Sequence, residues 1–268
     1  MWLPDYEKIV VSTDRTGTAP RHPGSPGRIV LHTTEGLRLY DYPYPPHFTL
    51  AVVGDPHSLP AGKAWYTGNA GMLSYPAGTR MRHQHCDLNL TSYALLHRSG
   101  DPETNHEGAH CVQVEIVSMA STPPQWSDAM YGLVASWLAD VVEALPGLAP
   151  ALDNYPDRWS AQGSWGFNTP YRMSWDTWRQ GLNGKPFLCG HQHVPGNDHW
   201  DPGALDVVKL TRMAKGILGS ATLEEEGSDV ASWRLAKRIR VLRRRVDRLQ
   251  ERLVVADHRL RHVETNRP

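Results

Sequence analysis

The segment Cys111–Val117, CVQVEIV, alternates at a period of two. Val112, Val114 and Ile116 share one face, and Cys111, Gln113, Glu115 and Val117 share the other. Soon afterwards the period changes. From Trp126 to Leu145, apolar residues fall at Met130, Leu133, Val134, Trp137, Leu138, Val141 and Val142, and the stripe stops at Pro146 and Gly147. A strand followed by a helix with a continuous apolar stripe restricts the chain to folds in which helices lie on a sheet. Glu115 adds a second constraint, because a charged residue inside an apolar strand needs a reason to be there.

Other elements extend the pattern. RIVLH (28–32) is a short apolar run after a glycine, as a buried strand requires; HFTLAVVG (47–54) is another, and KAWYTG (63–68) a third. SWDTWRQGL (174–182) reads as a short helix capped by Ser174, PFLCGHQH as a strand, and GALDVVKLTRMAKGILG as a closing helix. Residues 1–27 are rich in Pro, Gly and Thr and form an irregular lead-in with a short strand at KIVVS. Residues 146–173 are loop-like and aromatic, with Tyr155, Trp159, Trp165, Phe167 and Tyr171. The expected fold is α/β: a mixed central β-sheet flanked by helices, followed by a long basic C-terminal helix. With 268 residues, 40% of them hydrophobic, the chain can bury one substantial core and carry an appendage. The expected division is a lead-in over 1–27, a main domain over 28–219 and a helix over 228–265.

That helix is read from its period and charge. Leu235, Ile239, Leu242, Val246, Leu249, Leu253, Ala256, Leu260 and Val263 alternate spacings of four and three, a heptad seam. Ile239 and Val246 at a with Leu242 and Leu249 at d favour a parallel dimer. The formal net charge of zero hides an asymmetry: from Arg234 to Arg261 there are 11 Lys/Arg against three Asp/Glu, whereas the chain before 234 holds 16 against 24. Flanking Arg238, Arg243, Arg245 and Arg252 share one sign, which opposes a dimer at low salt and suits an anionic surface such as wall polymer or membrane lipid. Nucleic acid is not the expected partner.

Three cysteines, Cys86, Cys111 and Cys189, form no CxxC pair and read as reduced, buried thiols. The start, MWLPDYEKIVVS, lacks a basic segment followed by an apolar run, and no apolar stretch reaches the roughly 18 residues of a membrane span. The expectation is synthesis in the cytoplasm without a signal peptide. Ten Trp against three Phe fits amphipathic rings at a carbohydrate- or peptide-binding surface, and equally fits packing residues.

The densest chemistry lies in GHQHVPGNDHWDPG (190–203), with three histidines and two aspartates. His191 and His193, two apart on a strand, can face one metal, and Asp201 follows a turn-rich loop that can fold back toward them. Taken singly, each histidine is equally an incidental loop residue. Together with His32, at the end of an early strand, they favour a metal. Imidazoles with one carboxylate suit zinc, and three protein ligands leave the fourth position that hydrolysis uses.

VLHTTEG, PHFTLAV, HCVQVEIV and GHQHVPGNDHWDPGAL, in this order, resemble the zinc-dependent N-acetylmuramoyl-L-alanine amidases of type 2, whose fold the peptidoglycan recognition proteins share. The spacing is most similar to amidase domains of endolysins from phages of actinobacteria, and the resemblance covers about residues 25 to 218. It implies zinc held by His32, His191 and Asp201, with His193 in the surrounding shell and Asp198 a solvated loop residue. It also implies Glu115 as general base and His199, where many relatives carry Lys or Arg, as the group facing the developing oxyanion. Recognition-only relatives commonly lose the third ligand, and Asp201 is present here. Thr33, Thr34 and the aromatic loop with Trp165 are the implied groove wall; Tyr66 stands where many relatives have His, which alters a substrate contact.

The bond implied is the amide between the lactyl group of N-acetylmuramic acid and L-Ala of the stem peptide. The partner implied is bacterial peptidoglycan, reached after release by a holin-type route. Two other classes carry the same motifs: a zinc peptidase cutting elsewhere in the stem, and a peptidoglycan-binding module without catalysis.

Overall fold

The structure, a computed structural model, describes residues 1–9, 25–39, 45–66, 72–95, 104–106, 108–160 and 171–223. Its strands are β1 (Glu7–Lys8), β2 (Arg28–Thr33), β3 (Phe48–Val52), β4 (Ala64–Tyr66), β5 (Met72–Ser74), β6 (Arg80–Gln84), β7 (Cys111–Ile116) and β8 (Phe187–Gly190). Its α-helices are α1 (Asp128–Ala144), α2 (Trp175–Gln180) and α3 (Val207–Leu223). Six strands form one sheet in the order β1-β6-β3-β7-β2-β8, and β4 and β5 form an antiparallel pair of their own. β3, β7, β2 and β8 are mutually parallel, while β6 runs antiparallel to β3 and parallel to β1. The sheet is therefore mixed, as expected.

The period-two pattern sorts the two faces. Ile29 and Leu31, Phe48 and Leu50, Val112, Val114 and Ile116, and Leu188 point to one side, where Met130, Leu133, Val134, Trp137, Leu138 and Val141 of α1 meet them with Leu210 and Ala214 of α3. Trp137 is fully buried and sits edge-on to Phe48, with ring centroids 5.6 Å apart. Truncating such a ring costs about 3–5 kcal/mol. Ser127 caps α1 by accepting from Met130 N, and Ser174 caps α2 by accepting from Thr177 N at 3.1 Å.

The opposite face is divided. Val30, Cys111, Phe187 and Cys189 pack under Trp178 of α2 at the amino ends of the strands. Ala51, Val53, Met81 and Val117 form another patch with Leu39 and Leu59. Cys86, Cys111 and Cys189 are all free and buried. Among the tryptophans, Trp126, Trp137 and Trp178 are core residues.

Several elements depart from the sequence reading. β1 begins at Glu7, ahead of KIVVS, and Ile9 N continues its ladder by donating to Gln84 O at 3.0 Å. β5 and β6 are too short of alternating apolar residues to be read from sequence: β6, RMRHQ, buries only Met81 among apolar side chains and gains its place by pairing with β1 and β3. Residues 146–153, expected as loop, form a 3-10 helix whose Leu148, Ala151 and Leu152 are buried. The closing helix starts at Val207 and runs to Leu223. The basic helix expected over 228–265 lies outside the described residues, as does Trp165. No helix among the described residues is long and apolar enough to cross a membrane.

Candidate metal centre

Strand register assembles the site. His32 on β2 is the register partner of Glu115 on β7, and Glu115 is the partner of Thr49 on β3. Thr49 in turn pairs with His83 on β6, and His83 with Glu7 on β1. On the other side Leu31 pairs with Gly190, so the chain leaving β8 brings His191 level with His32. One row of polar residues therefore crosses the sheet, and within it His32 and Glu115 lie at the carboxyl ends of β2 and β7, where open α/β sheets leave a crevice for ligands. Glu115 is on a central strand, which excludes the solvent-facing edge position a lone Glu would otherwise take.

His32, His191 and Asp201 are buried, and one ligand atom from each lies within 4.8 Å of the others, a group able to hold a metal ion. His32 Nδ1 and His191 Nδ1 face each other at 3.0 Å. Asp201 Oδ1 is 3.3 Å from His191 Nδ1, and Oδ2 is 3.8 Å from His32 Nδ1. Asp201 Oδ2 accepts from Thr33 N at 3.0 Å, so β2 carries one ligand and orients another.

The roles of the ring nitrogens follow from their partners. Asn197 Nδ2 donates to Pro195 O at 3.2 Å, which leaves its Oδ1 to accept from His191 Nε2 at 2.8 Å. His191 Nε2 therefore carries the hydrogen and Nδ1 presents its lone pair to the triad, the arrangement a metal-ligating histidine needs. His193 is occupied elsewhere. Its Nδ1 accepts from Gly190 N at 3.0 Å and its Nε2 donates to Arg158 O at 2.8 Å, while Trp159 packs edge-on against the ring. The expectation that His191 and His193 share a strand face is corrected: both belong to a 3-10 turn, His191–His193, which turns His193 away from the triad. Its shell is the turn itself; Asn197, not His193, supports the ligand nitrogen.

Electrostatics favour a cation at this place. Burial, reinforced by His191, holds the His32 imidazole well below its ordinary pKa, with Asp201 opposing in part. For Asp201, burial favours the neutral acid, but the neighbouring His191, His199 and His32 together hold the carboxyl well below the ordinary range. The two lowered pKa values favour the deprotonated imidazole at His32 and the carboxylate at Asp201, the forms in which these groups ligate a metal.

Glu115 Oε1 lies 3.9 Å from His32 Nδ1. Burial, then the charges of Asp201 and Glu35, push its pKa well above the ordinary carboxylate value. Its Oε2 is buried with no hydrogen-bond partner among the described residues. His199 stacks on His191, centroids 4.4 Å apart and planes 10° apart, with Nδ1 3.5 Å from Asp201 Oδ1. Asp201 raises the His199 pKa, burial opposes, and Asp198, 3.8 Å from Nε2, adds to the rise. His199 is 40% exposed, so it forms part of the site's accessible wall.

Thr33 and Thr34 line the junction of β2 and β7 more than an open groove. Thr33 Oγ1 donates to Glu35 Oε1 at 2.6 Å, and Thr34 Oγ1 donates to Gly36 O at 2.6 Å. Tyr66 ends β4 in the separate two-stranded sheet. Asn197 and Glu35 were not singled out by sequence, although both stand inside the quoted motifs; an amide or a carboxylate in a loop gives no local sign of its partner.

No family model matches this chain, and no curated protein or solved structure matches it.

Proposed function

We propose that this protein is a zinc-dependent amidase of peptidoglycan, hydrolysing the amide between N-acetylmuramic acid and L-Ala of the stem peptide, in the role of a phage endolysin. The observation that carries the reading is a buried His32–His191–Asp201 triad with the Glu115 carboxyl 3.9 Å from His32 Nδ1. The donor set, two imidazoles and one carboxylate, fits zinc and leaves a coordination position for hydrolysis. The motif order supplies the substrate class.

A divalent ion bound by His32, His191 and Asp201 would supply Lewis acidity toward a carbonyl and would acidify a water, and its charge would oppose the burial that raises the Glu115 pKa. Glu115 then takes the proton of the attacking water and returns it to the leaving nitrogen. His199, raised toward its charged form by Asp201, donates to the carbonyl oxygen as negative charge develops on it. Asn197 and Thr33 N hold His191 and Asp201 in place throughout.

Incubation of purified cell wall with the protein, followed by identification of the new amine terminus, tests the reading. Release of L-Ala termini is expected. A different terminal residue makes the protein a zinc peptidase of the stem, and no new terminus makes it a binding module.

A further inference from the structure

Glu35 has an unusual backbone and an unusual set of partners. Its φ is 51°, in the left-handed region that a non-glycine residue enters at a cost of about 1–3 kcal/mol unless its surroundings fix it there. What fixes it is a single oxygen. Glu35 Oε1 accepts from Thr33 Oγ1 at 2.6 Å and from Ala120 N at 2.8 Å, joining the exit of β2 to the exit of β7.

Both partners lead to Asp201. Thr33 donates its backbone N–H to Asp201 Oδ2 at 3.0 Å. Ala120 packs its carbonyl against Gly203, so closely that a Cβ at Gly203 would collide with it, and Gly203 lies two residues from Asp201 in the same turn. The turn is also held from its other side, where Gln192 N donates to Asp201 O at 3.0 Å. Asp201 comes from a loop and His32 from a strand, so the spacing between these ligands depends on whatever ties that loop to β2. Thr34 Oγ1 also bridges the two strand exits, through Gly36 O and Ser118, but only the Glu35 side chain among the described residues bonds to Thr33 and Ala120 together, the two residues that touch the Asp201 turn.

We propose that Glu35 is the positioning residue for the third metal ligand: by holding Thr33 and Ala120 on one carboxylate oxygen, it sets the Asp201 turn against His32 and His191. This rests on the metal reading above and assigns Glu35 no contact with substrate. The interaction needs an acceptor oxygen at Oε1, which a glutamine side chain also supplies and an alanine does not.

The test is zinc affinity, measured by competition with a chromogenic chelator on the full chain, together with thermal unfolding in excess chelator. Removal of a supporting hydrogen bond around a metal site typically weakens affinity by about 10–100-fold. E35A is expected to lose zinc affinity in that range at a temperature well below its metal-free unfolding midpoint, which is itself lowered because Thr33 Oγ1 and Ala120 N lose their acceptor. E35Q is expected to restore affinity, and T33V, which removes one of the two bonds, to fall between. E35A with parental affinity overturns the inference, and so does E35Q as weak as E35A, since that would make charge and not acceptor geometry the cause. If E35A does not fold, E35Q and T33V decide: parental affinity in T33V overturns the inference. A parent chain that takes up no zinc overturns the metal reading beneath it as well, an outcome distinct from unaltered affinity in the variants.

Discussion

His32 and Glu115 are register partners on the adjacent parallel strands β2 and β7, and His32 Nδ1 and Glu115 Oε1 lie 3.9 Å apart. A candidate ligand and a candidate base are thus placed by one ladder, so neither can shift along its strand without the other. A one-residue slip of either strand would send its residue to the opposite face, into the α1 core, and part the pair.

Glu115→Gln keeps the shape of the side chain and removes its ability to take a proton. Wall hydrolysis is expected to fall by roughly 10²–10⁴, the usual worth of general acid–base catalysis, with zinc content unchanged. Near-parental lysis by this variant takes Glu115 out of the mechanism.

His191→Ala and His193→Ala should separate cleanly. The first is expected to abolish turnover and most zinc binding. The second should retain the metal, because both nitrogens of His193 are spent on Gly190 N and Arg158 O, but should destabilise the fold by about 1–3 kcal/mol through the unpaired groups it leaves. Metal analysis and denaturant unfolding of the two variants measure this; zinc loss in His193→Ala would contradict the ligand assignment.

Asn197→Ala removes the acceptor that holds His191 Nε2–H. Zinc affinity is expected to weaken by about 10–100-fold, without loss of the ligands themselves. Chelator competition reads the change, and an unaltered affinity would show that the 3-10 turn alone orients His191.

Stability should depend on two buried histidines away from the site. His85 donates from Nδ1 to Ile9 O and accepts at Nε2 from Thr49; His47 accepts at Nδ1 from Gln113 N and donates from Nε2 to Leu90 O. Burial lowers their pKa values from 6.5 to about 3 and about 4, aided by neighbouring His83 and His110 respectively. Unfolding therefore takes up protons below pH 6.5, so stability falls as pH drops from 6.5 toward 4, by up to about 1.4 kcal/mol per pH unit for each histidine. Urea unfolding between pH 7 and 5 should show the slope, and His85→Gln should reduce it. A flat profile over that window contradicts the neutral, doubly bonded state.

The basic heptad segment beyond α3 is expected to anchor the protein to an anionic envelope. Since α3 runs to Leu223, the cut belongs after that residue. The truncated chain should cleave small soluble muropeptides normally and lose salt-sensitive binding to whole walls. Equal wall binding at low salt by both forms would leave only self-association to the segment.

The sequence by itself determined the elements whose physics is local. CVQVEIV alternates because one face meets a helix, the stripe from Met130 to Val142 has the helical period, and Ser174 is a cap wherever the helix goes. It also offered His32, His191 and Asp201 as candidate ligands, and the fold brings the three together. Tertiary structure alone decided what depends on register and on partners distant in the chain. β6 has no apolar pattern and is a strand only because β1 and β3 flank it. Glu115 meets His32 because β7 pairs with β2 at one register. His193 and His191 read alike two positions apart, but a 3-10 turn sends one to Arg158 O and the other to the triad. Asn197 and Glu35 acquire their roles from hydrogen bonds to His191, Thr33 and Ala120, and a polar side chain in a loop carries no local period that would announce its partner.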